Sequence, residues 1–320
     1  MCHKSKETDS MEQKQVNISI VCPFYNEEDM VNIFMKEIFG VMESINRTFE
    51  IICVNDGSTD NTLEILLKEQ EARDNIQIIN LSRNFGKEAA LTAGLDFAQG
   101  EAVIPIDSDL QDPPALIKDF VEQWDKGYDV VLAKRTDRTM DSFGKRFTAQ
   151  LFYKIHNKIS PTKIPDNVGD FRLMTRKVIK SIQALPENQR FMKGIFAWVG
   201  FKTAVVEYKR DKRKAGKTGF NGWKLWNFAL EGFTSFSTVP LRIWLYLGSL
   251  IALSAFCYGG FIVIRTLIFG IDVPGYASLL TIILFLGGIQ LIGIGVIGEY
   301  IGRMYMESKR RPPYIIDKIF

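Results

Sequence analysis

Two uncharged apolar runs near the C-terminus, residues 243–264 and 273–298, constrain this chain more than any other feature. At a helical rise of about 1.5 Å per residue, the first run of 22 residues spans roughly 33 Å and the second, of 26, spans more. Each therefore exceeds a bilayer hydrocarbon core of about 30 Å, and soluble helices of such length without a charge are rare, so two transmembrane helices are expected rather than a buried hairpin. Lys209, Arg210, Lys212, Arg213, Lys214, Lys217 and Arg242 precede the first run, while Arg303, Lys309, Arg310 and Arg311 follow the second. Basic flanks of this kind place both termini in the cytoplasm and the connection 265–272 outside. The opening 1–15 is polar throughout, which predicts a disordered tail and no signal peptide.

The remaining composition excludes several classes. A net charge of +3 is too small to argue for nucleic acid, and the local basic cluster at 209–217 suits anionic headgroups beside the membrane entry point. Cys2, Cys22, Cys53 and Cys257 show neither disulfide nor zinc spacing. With His3 in the polar tail and His156 reading as a helix-surface or packing residue, a histidine-dependent triad is not expected.

Ahead of the apolar runs, short β-rich stretches alternate with helical patterns. VNISIVC, FEIICV, IQIINL, EAVIPI and YDVVLA read as strands, separated by helices at 29–44, 62–73, 87–98 and 115–126. Such alternation predicts a Rossmann-like α/β domain whose mostly parallel sheet is covered on both faces. Past Lys134 the pattern gives a helix at 142–158, a polar loop at 161–169 and a strand at 201–209. In FNGWKLWNFALEGFTSF, Phe220, Trp223, Trp226 and Phe233 interleave with polar residues, as in an amphipathic helix lying at headgroup depth. The expected organisation is a polar tail 1–15, a catalytic domain 16–212, an active-site loop with interfacial helices 213–240, two membrane helices 241–302 and a cytoplasmic basic tail 303–320.

In an open α/β sheet, functional residues collect where strands end. The first strand runs into Pro23, Phe24, Tyr25, Asn26 and Glu27, the second into Asp56 within VNDGSTDNT, and the fourth into IDSDLQDPP. VNDGSTDNT alone could be a capped strand-to-helix turn, but Asp56 at the strand tip is also placed to accept hydrogen bonds from a base or ribose. Asp107 and Asp109 are two apart, so a persisting pleat would aim both carboxylates the same way, and such a pair repels unless a cation lies between. With so few protein oxygens, Mg²⁺ or Mn²⁺ would complete its shell from phosphate and water, and Gln111 could add an amide oxygen. The alternative is a solvated acidic loop in which Asp112 caps the helix beginning at Pro113-Pro114.

VCPFYNEE, VNDGSTDNT, RNFGKEAALTAG from Arg83, IDSDLQDPP, VGDFRLM around Asp170 and RKAGKTGF from Arg213 fall in the order and spacing of the family 2 inverting glycosyltransferases. With the two C-terminal runs, the chain resembles the polyprenyl-phosphate group of that family, which includes bactoprenol glucosyltransferases and dolichyl-phosphate mannose synthases, over about residues 16–315. The resemblance implies transfer of a hexose from a nucleotide sugar, UDP-glucose first among them, to undecaprenyl phosphate at a bacterial inner membrane. It implies nucleotide-sugar contacts at Pro23, Tyr25, Glu27, Asp56, Lys87 and Asp107, a metal and diphosphate site at Asp107, Asp109 and Gln111, and catalytic carboxylates at Asp170 and Asp109. Arg135, Arg138, Lys145 and Arg146, after the fifth strand, and Arg213 and Lys217 in the loop are candidates for the lipid phosphate, because fixed cations suit phosphate oxygens. RKAGKTGF departs from the commoner family form at Gly219, where a Lys usually follows the Ser or Thr. Three rivals fit less well. A processive synthase would show Gln-x-x-Arg-Trp and more spans, an inactive binding protein would not need Asp107, Asp109 and Asp170, and a transporter would need more membrane-embedded mass. Gly287, Gly288, Gly293, Gly295 and Gly298 give the second run a small-residue face suited to packing on a second copy or on the first run.

Overall fold

The computed structural model describes residues 16–136, 165, 167–188, 190–209, 239–270 and 275–320. The expected polar tail, Arg138, the helix at 142–158 with Lys145, Arg146 and His156, and the segment carrying Arg213, Lys217 and the interfacial helix lie outside those residues.

Five strands and four helices fall where the alternation predicts them: β1 (Ile18–Phe24), α1 (Glu28–Met42), β2 (Phe49–Asn55), α2 (Thr62–Glu71), β3 (Ile76–Leu81), α3 (Lys87–Phe97), β4 (Ala102–Pro105), α4 (Leu116–Asp125) and β5 (Val130–Arg135). There follow β6 (Val168–Thr175), α5 (Arg176–Gln183), α6 (Met192–Trp198), β7 (Thr203–Tyr208), α7 (Val239–Phe269), α8 (Tyr276–Ser308) and β8 (Ile316–Ile319). One eight-stranded sheet runs in the order β7-β5-β6-β4-β1-β2-β3-β8. The pairs β1/β2, β1/β4, β2/β3 and β5/β7 are parallel. The strand pleat divides the core: Ile18, Ile20, Cys22 and Phe24 pack with α1, α2 and α4 on one face, while Val21, Ile52, Val54 and Val103 pack with α3, α5 and α6 on the other. Close approach of α3 depends on Gly94, where an added Cβ would sit 2.3 Å from Val21 Cγ1.

Two expectations are corrected. The polar loop drawn to residue 169 ends earlier, because β6 begins at Val168 and inserts antiparallel between β4 and β5, making the sheet mixed. Its burial of Val168, Phe171, Leu173 and Met174 drives this, and the intervening Asp170 and Arg172 hide it from a reading of alternation. The basic tail 303–320 is no free tail either: α8 continues to Ser308, and β8 then pairs antiparallel with β3 at the sheet edge. Backbone bonds join Ile78 and Phe320 in both directions and Ser82 N–H to Ile315 O, and Tyr314 Oη donates to Asp96 at 2.8 Å. An edge strand that would otherwise expose unpaired amides is thereby covered.

The apolar runs lie on α7 and α8. Among the described residues one segment, Phe285–Ser308, is by length and composition long and apolar enough to cross a membrane and is largely exposed, and Tyr246–Phe261 is a shorter apolar helix. Gly293 of α8 faces α7, since a Cβ there would lie 3.2 Å from Trp244, so the small-residue face packs in part within the chain. At the end of α8 the Glu307 carboxylate accepts the Asn188 N–H at 3.1 Å through both oxygens, tying that helix to the sheet domain.

Candidate active site

The carboxyl ends of β1, β2 and β4 open into one cleft of about 260 Å³. The loops after β1 and β2 are stitched reciprocally: Asn26 N–H donates to Ser58 Oγ and Thr59 N–H to Asn26 Oδ1, while Glu27 N–H donates to Thr62 Oγ1 and Asn61 N–H to Glu28 Oε2. Asp60 accepts the Thr62 N–H at 3.1 Å in an Asx turn just ahead of α2, whose N-cap residue Asn61 makes no side-chain capping bond. Asp56, 3% exposed, accepts Phe85 N–H at 2.7 Å and Gly86 N–H at 2.9 Å, so it holds the 83–86 loop as well as lining the cleft. Burial pushes its carboxyl above the ordinary range, against those two amides. Only glycine fits at Gly57, where φ is +61° and a Cβ would lie 2.4 Å from the Arg83 carbonyl carbon.

Of the residues singled out in the sequence, Pro23, Tyr25, Glu27, Asp56, Lys87, Asp107 and Asp109 all line this cleft. The pleat does not persist to the acidic pair. β4 ends at Pro105, and Asp107 starts a turn closed by Leu110 N–H to Asp107 O at 3.4 Å, with Leu110 at φ +50°. Both carboxylates reach the cleft through that turn. Gln111 is not in the cleft wall, and its backbone N–H donates to Asp109 Oδ1 at 3.2 Å.

The cation beside Asp107 is the Lys87 ammonium, supplied by the first residue of α3. Its Nζ lies 2.7 Å from Asp107 Oδ1 and 2.8 Å from Asp170 Oδ2, drawing a carboxylate of β6 to the acidic turn after β4. Burial alone would raise the Asp170 carboxyl, but Lys87, then Lys193 and Arg172, hold it well below the usual carboxylate range. Asp107 is raised by burial despite Lys87. Asp170 Oδ1 is buried and carries no hydrogen bond, leaving an acceptor without a partner.

Among the described residues no three His, Cys, Asp or Glu side chains form an ion cage. Asp107 and Asp109 nevertheless offer hard oxygens from one turn in one cleft, a donor set that fits Mg²⁺ or Mn²⁺ only if phosphate and water supply the rest of the shell.

Arg135 is already engaged: its Nε donates to Tyr208 Oη at 3.0 Å and its Nη2 to Asp112 Oδ1 at 3.4 Å, with the Tyr208 hydroxyl donating to the same carboxylate. Asp112 therefore does not cap α4, which begins at Leu116 after Ala115. Arg135 and Asp112 lie beside Gly169, next to Asp170. Glu88, Arg172 and Lys193 escaped the sequence reading. Glu88, beside Lys87 in the same motif, accepts Met192 N–H at 3.2 Å, and its carboxyl is pushed up to about 8 by burial and then by Asp170. Arg172, two residues along β6 from Asp170, is 5% exposed, donates to Gly169 O at 2.6 Å and stacks 4.3 Å from the Phe196 ring. Its i+2 spacing from Asp170 was the available signal.

Comparison with known proteins agrees with this geometry. Residues 19–183 match the family described as Glycosyl transferase family 2, and residues 239–304 match the GtrB C-terminal hairpin. The bactoprenol glucosyl transferase of Shigella phage SfV is 56% identical over 94% of this chain and 98% of its own length. A prophage bactoprenol glucosyl transferase homolog of Escherichia coli K12 is 55% identical over 95% and 99%. A glucosyl-3-phosphoglycerate synthase of Mycobacterium tuberculosis, solved with Mg²⁺ and UDP, shares the fold at a TM-score of 0.50 and 20% identity, over 68% of this chain and 77% of that one. With its motifs at the sheet rim and relatives more than half identical along nearly the whole length, the chain belongs to glycosyl transferase family 2.

Proposed function

We propose that the protein transfers glucose from UDP-glucose, with inversion, to a polyprenyl phosphate at the cytoplasmic face of a membrane. The observation that carries this reading is the cleft in which Asp107, Asp109, Lys87 and Asp170 converge, in a chain about 55% identical to bactoprenol glucosyl transferases.

The nucleotide end of the donor lies along Pro23, Tyr25, Glu27 and Asp56, and its diphosphate reaches Asp107 and Asp109. These two carboxylates would hold Mg²⁺ or Mn²⁺, which supplies charge stabilisation to the departing diphosphate. An oxygen of the acceptor phosphate forms the new bond to the anomeric carbon from the side opposite the diphosphate. The bond from that carbon to the diphosphate breaks, and its electron pair leaves with UDP. A phosphate monoester is already largely dianionic at neutral pH, its second pKa being about 6, so no base has to remove a proton from it. Asp170, ionised beside Lys87, then serves to orient Lys87 and the reacting groups rather than to abstract a proton.

Pairing of β8 with β3 supports an even number of membrane crossings between residues 209 and 316, hence α7 and α8 as two spans with catalytic domain and C-terminus on one side. A tether of this kind has an energetic reason, because a polyprenyl tail leaves the bilayer at a cost of about 0.8 kcal/mol per methylene and the enzyme must come to it. The test is incubation of the purified protein in nanodiscs with undecaprenyl phosphate and a panel of nucleotide sugars, with and without chelator. UDP-glucose should give the lipid-linked product and chelator should stop it; preference for a different sugar, or turnover unaffected by chelator, refutes the corresponding part.

A further inference from the structure

Asp170 lies among cations that belong to two different cavities. Its Oδ2 is bonded to Lys87 in the wall of the donor cleft. A second cavity of about 210 Å³ lies against β5 and β6 beside α6, with apolar walls at Val130, Leu132, Val168 and Phe196 and, among the described residues, two cations, Arg172 and Lys193. Both cations act on the Asp170 carboxylate, and Lys193 also acts on Glu88.

The two cations are not equivalent. Arg172 is almost fully buried, committed to Gly169 O and the Phe196 ring, with its Nε left without a partner. Lys193 is half-buried and, among the described residues, makes no hydrogen bond or ion pair. It sits one residue from the start of α6, and that start is fixed by the Met192 N–H bond to Glu88, the neighbour of Lys87. A half-buried ammonium next to an ionised carboxylate, opening on an apolar cavity, fits an amphiphile whose anionic head is a phosphate and whose next atoms are hydrocarbon. Polar bases and sugars find few partners on such walls.

We propose that Lys193, backed by Arg172, holds the phosphate of the lipid acceptor, with the adjoining apolar walls taking its first prenyl unit. This rests on the transfer reaction proposed above. Inversion requires the attacking phosphate to approach the anomeric carbon from the side opposite the diphosphate, and a cavity separate from the donor cleft, lined by cations that act on Asp170, is suited to hold it. The placement also gives the acceptor a cation that is not already engaged, which Arg135 is not.

The test compares the full-length protein with Lys193→Met, Lys193→Arg and Ala197→Trp, the last bringing a bulky ring into the second cavity's wall. Loss of one charged donor to phosphate corresponds to about 1.5–3 kcal/mol, so Lys193→Met should raise KM for polyprenyl phosphate about 10-fold to 100-fold. UDP affinity, measured with Mn²⁺ by calorimetry, should be unchanged. Lys193→Arg should restore most of the acceptor KM, and Ala197→Trp should raise it. An unaltered acceptor KM in Lys193→Met, or an equal loss of UDP affinity, overturns the assignment. Should the wild-type protein make no lipid-linked sugar, the transfer reading fails by itself; direct binding of farnesyl phosphate to wild type and Lys193→Met then decides the site separately, with equal affinities overturning it.

Discussion

Replacing Gly57 by Ala should disable the donor cleft through backbone geometry alone. The new Cβ would stand 2.4 Å from Arg83 C, 2.5 Å from Asn84 N and 2.7 Å from Arg83 Cα, all backbone atoms that cannot rotate away. The 83–86 loop must retreat, and it is anchored by the Phe85 and Gly86 amides on Asp56. Loss of one hydrogen bond to a charged group costs about 1.5–3 kcal/mol, and a left-handed φ on alanine adds about 1–2 kcal/mol, giving roughly 3–5 kcal/mol. For a domain of this size that corresponds to a fall of about 6–20 °C in melting temperature. Because Lys87 follows Gly86 directly, the displaced loop should also move the ammonium off Asp107 and weaken UDP binding. Gly127→Ala is the control: φ is +82° there, but a Cβ would meet nothing within 4 Å. It should lose only about 1–2 kcal/mol and keep its nucleotide affinity. The assay is thermal melting of both variants in detergent, with UDP–Mn²⁺ calorimetry. Equal melting temperatures and wild-type UDP affinity in Gly57→Ala would refute the reasoning.

Other predictions follow from neighbouring contacts. Asp109→Asn should reduce lipid-linked product by about 10²-fold or more while membrane insertion, read by fractionation, stays intact; retained turnover in the purified variant would contradict the metal role. Glu88 has its folded pKa raised to about 8 from an ordinary value near 4.5, so it favours the folded state at low pH and that contribution is lost as pH rises from 4.5 through 8. Glu88→Gln should therefore flatten the fall in melting temperature over that interval, as a pH series would read. Tyr208→Phe removes a hydroxyl that donates to Asp112 and accepts from Arg135, and should cost about 1–3 kcal/mol in thermal stability. A cysteine placed at Phe320, in a background free of Cys2 and Cys257, should react with an impermeant thiol reagent in inverted vesicles but not in intact spheroplasts; the reverse pattern would sink the two-span topology.

The sequence announced the parts of the fold that depend on local pattern. β1 to β5 and α1 to α4 alternate with clear apolar periodicity, and their carboxyl ends carry Pro23, Tyr25, Asp56 and Asp107 into one rim, as open α/β sheets require. It concealed what depends on distant pairing. β6 carries Asp170 and Arg172 among its buried residues and reads as polar, and β8 is four residues after a proline-containing turn whose value lies wholly in covering β3. The acidic pair and Lys87 were legible as site residues, but the bonds between them were not, because Lys87 lies on α3 and reaches Asp107 and Asp170 only once β4 and β6 are neighbours. Lys193 was invisible for the same reason: nothing near it in the chain signals that α6 docks against Glu88.

The most direct measurement is the stereochemistry of the lipid product. Protein in nanodiscs, supplied with UDP-glucose, Mn²⁺ and undecaprenyl phosphate, should form a phosphodiester whose anomeric proton and phosphorus resonances report a β linkage, and Asp109→Asn should form about 10²-fold less of it or lower. An α-linked product, or UDP release that yields only free glucose, would contradict attack by the lipid phosphate across the cleft from the diphosphate.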